Sequence, residues 1–364
     1  MNQYQCLSNN EPVAVYPLSM TRDYVRHWTF PEAIREIIQN AIDSDSPFEY
    51  EFEANNILTI TSRKASLDPS TLALGSTSKA EDSSKIGSFG EGYKIALLVL
   101  ARLGYNVYVM NNGRLWEPVF KFNEQFGVEM LHIEEHQNSC TGLTFVVGGL
   151  SPEDKQKVID SCLHMQPLIA DAIDLPQGRI LPSSPGKLYV NGLYVCDTKM
   201  KYGYDIKPDY ITLERDRQTV SSFQLAWLVK DMWFATHQFE KVADMITKDF
   251  PDMEYASHGC PELLKEAVYQ QFMKNNPGGV VASSPEHLKE LVNRGMTKAV
   301  YVNSNTHAIV STSKSYAVTA AAVAKPTPLM VLNKWYEENE KNLRRLSKVG
   351  FKALLKMAEQ WQNK

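Results

Sequence analysis

The chain of 364 residues is poor in cysteine, and its five cysteines, Cys6, Cys140, Cys162, Cys196 and Cys260, are odd in number, far apart and never spaced as Cys-x-x-Cys. That distribution argues against a disulfide framework or a thiolate zinc site and predicts reduced thiols in a cytoplasmic protein. The eight histidines form no metal-spaced pair. No apolar run has the length to cross a bilayer and no charged-then-apolar leader is recognisable, so no membrane partner is expected. Neither sign of charge dominates: a net charge of -4 gives no global reason to bind nucleic acid or anionic lipid. What remains is an ordinary globular composition, 43% hydrophobic and 22% charged, with a length that suggests two or three domains.

Against that plain background one stretch stands out, GSTSKAEDSSKIGSFGEGYK from Gly75 to Lys94. Gly87, Gly90 and Gly92 permit a tight path on which successive N–H groups point at one anion. The apolar run IALLVLARL then starts a helix whose N-terminal dipole adds to the attraction, with Lys94 on its first turn. Glycine-rich turns are also plain connections, so this pattern gains meaning from its surroundings.

Upstream, PEAIREIIQNAIDSD reads as a helix from Pro31, with Thr29 as cap, proline in the first turn and Glu32 at the positive end of the dipole. Glu36, Asn40 and Asp43 stand at i, i+4 and i+7 on one stripe, with Ile34, Ile38 and Ala41 opposite. A single polar stripe usually means a solvated face. Here Ile37 and Ile42 flank it and a phosphate-type turn follows.

Alternating runs around Asn55-Asn56 predict a hairpin over residues 48–62. Residues 63–86 are polar and long for a bare connection, which suggests a lid. Strands are expected at 105–110, 116–122, 127–133 and 141–147, so residues 1–150 read as helices covering a mixed, mostly antiparallel sheet, an α+β domain preceded by an arm or edge strand. A second α/β part, 151–250, opens with a helix at Pro152, carries a hairpin through Asn191-Gly192, and continues from ITLERDRQTV into one long apolar helix over SSFQLAWLVKDMWFATHQFEKVADMI. The third part, 251–364, holds a strand-helix-strand unit, a Ser-, Ala- and Pro-rich linker, and a final helix from about Met330 to Gln362, with seven Lys or Arg and one Glu between Lys341 and the end of the sequence. Docking of that helix on the body is the first expectation, with a partner or nucleic acid left open.

The pairing of REIIQNAID with KIGSFGEGYK resembles the nucleotide-binding domain of the GHKL, or Bergerat-fold, ATPases, shared by DNA gyrase B, a heat-shock chaperone, sensor histidine kinases and MutL. The likeness covers roughly residues 25–150 and implies a Bergerat α/β sandwich that binds ATP and Mg2+. By it, Glu36 matches the acid that activates water, Asn40 the amide that binds magnesium, and Asp43 a further polar position. Gly75, Ser76, Thr77, Ser78 and Lys79 look like the lid stretch. Gly87, Ser88, Phe89, Gly90, Glu91, Gly92, Tyr93 and Lys94 look like the phosphate box, and Thr141 like the threonine of the last box. The family's Asp-x-Gly-x-Gly is absent: TSRKASLDP stands there, leaving Ser62, or the worse-placed Asp68, to meet adenine.

The second part then corresponds to a transducer domain that sends a basic residue back to the terminal phosphate. Arg215 and Arg217, or Lys199 and Lys201, are the candidates, although the two arginines flanking Asp216 also fit a surface salt-bridge cluster. What the resemblance implies is an ATPase acting through lid closure over Gly75–Lys85 on a protein partner, with dimerisation on ATP binding; the alternative is a module that binds nucleotide without hydrolysis. A histidine kinase is not expected, because no helical segment with a phospho-acceptor histidine precedes the domain.

Overall fold

In the computed structural model, which describes residues 11–44, 48–73, 92–213, 220–317 and 328–362, the chain forms two units. The first takes the chain to Thr198 and again from Tyr202 to Val220; the second takes Lys199–Lys201 and everything from Ser221.

The first unit is built on β1 (Ala14–Thr21), β2 (Phe48–Glu53), β3 (Ile57–Ser62), β4 (Asn106–Asn111), β5 (Arg114–Asn123), β6 (Val128–Gln137) and β7 (Leu143–Gly148). They form a seven-stranded sheet in the order β1-β6-β5-β4-β7-β3-β2. Every neighbouring pair is antiparallel, so the parallel component expected of this sheet is absent among the described residues. The tight turns carry the residues that tolerate a left-handed backbone: Asn56 at φ +59°, and Asn112 with Gly113 at +45° and +90°.

Helix α1 (Phe30–Ile42) connects β1 at one edge to β2 at the other, and α2 (Gly92–Arg102) packs beside it. Both helices bury their apolar sides against the same face of the sheet, α1 being about 20 Å long and the sheet about 29 Å wide. One face of the sheet is therefore roofed by helices. Ile34, Ile37 and Ile38 of α1 and Leu97, Val99 and Leu100 of α2 meet Leu58, Ile60, Val109, Trp116 and Phe145 in one buried core.

The first unit continues through α3 (Pro152–Asp160), capped reciprocally by Ser151 and Asp154 and packed on α1, into a second sheet. Its strands are β8 (Ile173–Leu175), β9 (Gly178–Leu181), β10 (Lys187–Val190), β11 (Leu193–Asp197) and β12 (Gly203–Ile206), in the order β11-β10-β12-β9-β8. Here β10 and β12 run parallel, and the β10–β11 hairpin turns on Asn191-Gly192 as the sequence predicts.

The second unit contains α4 (Ser222–Ala235), α5 (Phe239–Thr247), α6 (Glu262–Asn275), β13 (Val280–Ala282), α7 (Pro285–Asn293), β14 (Ala299–Tyr301), α8 (Ser304–Ser311), α9 (Pro328–Asn339) and α10 (Arg345–Gln362). The expected strand-helix-strand unit is present, with β13 and β14 parallel and Ser284 capping α7. Two expected helices are broken. The helix expected over 221–246 stops at Thr236, whose Oγ1 donates back to the Trp233 carbonyl at 2.7 Å, and His237 turns the chain at φ +54°. The last helix breaks at 340–344, which lets Phe351 of α10 fold back onto Trp335 and Tyr336 of α9, ring centroids 5.0 and 5.3 Å away. Among the described residues no helix is long and apolar enough to cross a membrane.

Candidate functional site

The site is organised by α1, and the start of that helix is fixed twice. Glu32 Oε2 accepts from the Thr29 N–H and hydroxyl at 2.8 and 2.6 Å, closing the first turn on its cap. At the end of α2 the Arg102 guanidinium donates to four backbone carbonyls, those of Arg22, Tyr24, Val25 and Trp28, at 2.9–3.3 Å. One side chain thus holds the whole connection that leads from β1 into α1. Sequence reasoning missed it, although an arginine in the last turn of a helix is the available signal.

Along α1 the polar stripe is buried, not solvated. Glu36 is 3% exposed, Asp43 4% and Asn40 half-buried, while Arg35 and Gln39 are buried beside them. Burying a carboxylate costs free energy unless it is paired or hydrogen-bonded, so this stripe is not the solvated face of an ordinary amphipathic helix. Asn40 Nδ2 donates to the Glu36 carbonyl at 2.7 Å, which turns the amide so that its oxygen looks away from the helix backbone.

At the C-terminal end of α1, Ser44 Oγ donates to the Ala41 carbonyl at 2.7 Å and meets Ser62 Oγ at 3.3 Å. Ser62 ends β3 on its buried face, so the structure brings the candidate base-reading hydroxyl to the same helix end as Asp43. Thr141 is exposed in the turn before β7, beside the same end of β3: the neighbouring Gly142, at φ +76°, packs so closely on Arg63 that a Cβ would lie 2.7 Å from its carbonyl oxygen. Asp68 instead caps a short 3-10 turn at Pro69–Leu72, accepting from the Ser70 N–H at 2.9 Å, and its hydrogen bonds with Ser70 hold its carboxyl below the ordinary range.

Lys94 is fully buried on α2, with Nζ donating to the carbonyls of Thr71 and Ala73 at 2.8 and 2.6 Å. Tyr93 adds a hydrogen bond to the Thr71 hydroxyl at 2.9 Å, and burial pushes its phenol up to about 12. Asn111, pointing inward from β4, takes the Leu67 N–H and gives to the Leu67 carbonyl at 2.9 and 2.7 Å. Residues 67–73 are therefore strapped to β4 and α2. Asn111 was also missed; a polar residue at an inward register of an apolar strand is its signal.

Gly75, Ser76, Thr77, Ser78, Lys79, Gly87, Ser88, Phe89, Gly90 and Glu91, and likewise Arg215 and Arg217, lie outside the described residues. Gly92 and Tyr93 open α2. Lys199 and Lys201 fall in the second unit, where the Lys201 N–H is bound by Asp252 Oδ2 at 2.6 Å. A separate cavity of about 600 Å3 in the first unit is lined by Pro31, Lys157, Gln166, Lys187, Tyr189 and Tyr194 among others. Its cations are neutralised locally, Lys157 by Glu153 at 2.8 Å and Lys187 by Asp197 at 2.7 Å.

The first unit thus defines an α+β class, helices on one face of an antiparallel sheet with buried acids on the central helix. No family model matches the chain. An uncharacterized protein of Mycoplasma pneumoniae is 26% identical to it over 218 residues, covering 53% of this chain and 86% of its own.

Proposed function

We propose that the first unit is a GHKL-type nucleotide-binding domain that hydrolyses magnesium-ATP and uses the change of state to control a protein partner. The observation that carries the reading is the burial of the Glu36–Asn40–Asp43 stripe, which a merely amphipathic helix leaves in water. In this reading the Glu36 carboxylate takes a proton from water as the water oxygen attacks the terminal phosphorus. The bond to the bridging oxygen breaks, and ADP and phosphate leave. Asn40 fits a magnesium ion because its amide oxygen, a hard ligand, is the atom turned away from the Glu36 carbonyl. Magnesium held there would neutralise charge on the phosphate oxygens. The first-turn N–H groups of α2, from Gly92, supply positive potential for the phosphates, and the Ser62 hydroxyl supplies a neutral contact for the base.

The second reading, a module that binds nucleotide without hydrolysing it, is favoured by Lys94. Its ammonium donates to the Thr71 and Ala73 carbonyls, so it acts here as a clasp for residues 71–73.

Phosphate release measured beside the binding of ATP, GTP and ADP separates the two. Glu36→Ala is expected to keep magnesium-dependent ATP binding and to lose turnover by at least about a hundredfold, the usual contribution of a positioned base. Asn40→Ala is expected to weaken binding only when magnesium is present. Normal turnover in the Glu36 variant defeats the hydrolytic assignment, and absence of nucleotide binding in the wild-type chain defeats both readings.

A further inference from the structure

Helix α10 has three faces. One packs on α9 through Phe351, with Leu355 and Ala358 half-buried along the same side. A second, on the far side, leaves aliphatic side chains in water: Leu346 is 87% exposed, Val349 65%, Leu354 57% and Met357 50%. With Gly350 and Ala353 between them, these positions form a continuous arc at helical spacing. The third face lies between the other two. It carries Arg345, Lys348, Lys352 and Lys356, at i, i+3, i+7 and i+11, a ladder with one cation per turn. None of these four forms an ion pair among the described residues. Lys352 rests its ammonium 5.8 Å from the centre of the Tyr336 ring, which fixes the ladder on the flank next to α9.

We infer that α10 is a docking helix for an acidic amphipathic helix of a protein partner. Four cations in one row, without an ion pair among the described residues, ask for a row of carboxylates, and their spacing matches the period of a second helix lying alongside. The exposed arc asks for aliphatic cover; an area of this kind on a monomer marks an interaction surface. Nucleic acid answers only the cations, because the arc offers phosphates nothing. An anionic bilayer would draw cations to both flanks of a helix lying in its surface, whereas here one flank carries all four and the other runs into the packed side. The partner is recognised in the helix-against-helix manner, aliphatic anchors setting affinity and charge setting register. This surface is independent of the nucleotide reading.

The test uses the full chain and a fluorescent synthetic peptide of about three heptads, leucine at the a and d positions and glutamate on the flanks. Binding is expected by anisotropy, with a gain of peptide helicity and a loss of affinity at high salt. The pair Lys352→Glu with Lys356→Glu, and separately the pair Leu346→Asp with Met357→Asp, are each expected to weaken binding roughly tenfold or more, with far-UV spectrum and melting temperature unchanged. The same four side chains are exposed, so both pairs should fold. The inference is overturned if the peptide does not bind, if charge reversal leaves its affinity intact, or if phosphatidylserine vesicles or duplex DNA bind α10 in its place.

Discussion

Arg102 shows how far a single side chain can govern the candidate site without touching it. A guanidinium presents its donors in a fixed fork, and here the fork gathers four carbonyls of the segment that leads into α1. Arg102→Ala leaves those carbonyls to partial solvent and is expected to cost about 2 kcal/mol or more in urea unfolding. Arg102→Lys should recover little of that, because a single ammonium cannot span the four. Tyr93 gives the corresponding pH signature. Its phenol is raised from 10.0 to about 12 by burial, partly offset by the bond with Thr71, so the fold prefers the neutral form. The stabilisation is complete below pH 10 and is lost as the pH rises through 12, on the order of 2 kcal/mol for a group this buried. Melting temperatures recorded from pH 8 upwards should fall along that window, and Tyr93→Phe should flatten the fall; an unchanged slope in the variant would assign the alkaline limb elsewhere.

At the scale of elements, what could be read from the sequence was whatever neighbouring residues decide among themselves. The turn at Asn191-Gly192 and the hairpin at Asn56 follow from local backbone preference, and the α1 cap from Thr29 and Glu32 three residues apart. The placement of β7 between β4 and β3 has no local signal, because it depends on which apolar faces meet. Strand β12 went unread for a related reason: its four residues are too few for a periodic pattern, and only the fold supplies Arg179 at 2.6 Å and the Gly192 N–H at 2.7 Å to hold the buried Asp205 carboxylate. The stripe on α1 was legible as a pattern but not as a buried one. Close packing makes a sharp prediction in the second sheet. Gly178 sits at φ +142°, where an added Cβ would lie 2.1 Å from the Asp205 carbonyl oxygen. Gly178→Ala must displace β12, and a loss of about 3 kcal/mol is expected. Gly104→Ala, at φ +87° with nothing nearby, is the control and should cost about 1 kcal/mol.

For the whole molecule the informative fact is connectivity. The chain joins the second unit briefly at Lys199–Lys201, returns to the first for β12, and leaves it for good after Val220. The chain therefore passes between the units three times, and the Lys199–Lys201 excursion is held within the second unit at an identifiable chemical point. Asp252 is completely buried in the second unit and accepts from the Lys201 N–H at 2.6 Å. A buried carboxylate that gains a charge-assisted bond there turns a short excursion of the chain into part of the second unit's structure. Asp252→Ala removes the acceptor and leaves the Lys201 N–H without it, which predicts a loss of about 2–3 kcal/mol. The loss should be local. Amide exchange is expected to accelerate in α4, α5 and the Lys199–Lys201 segment, while the protected amides of β3, β4 and β7 keep their rates. Uniform acceleration across both sets would mean that the two units unfold as one, and that the excursion at Lys199–Lys201 couples their stabilities fully.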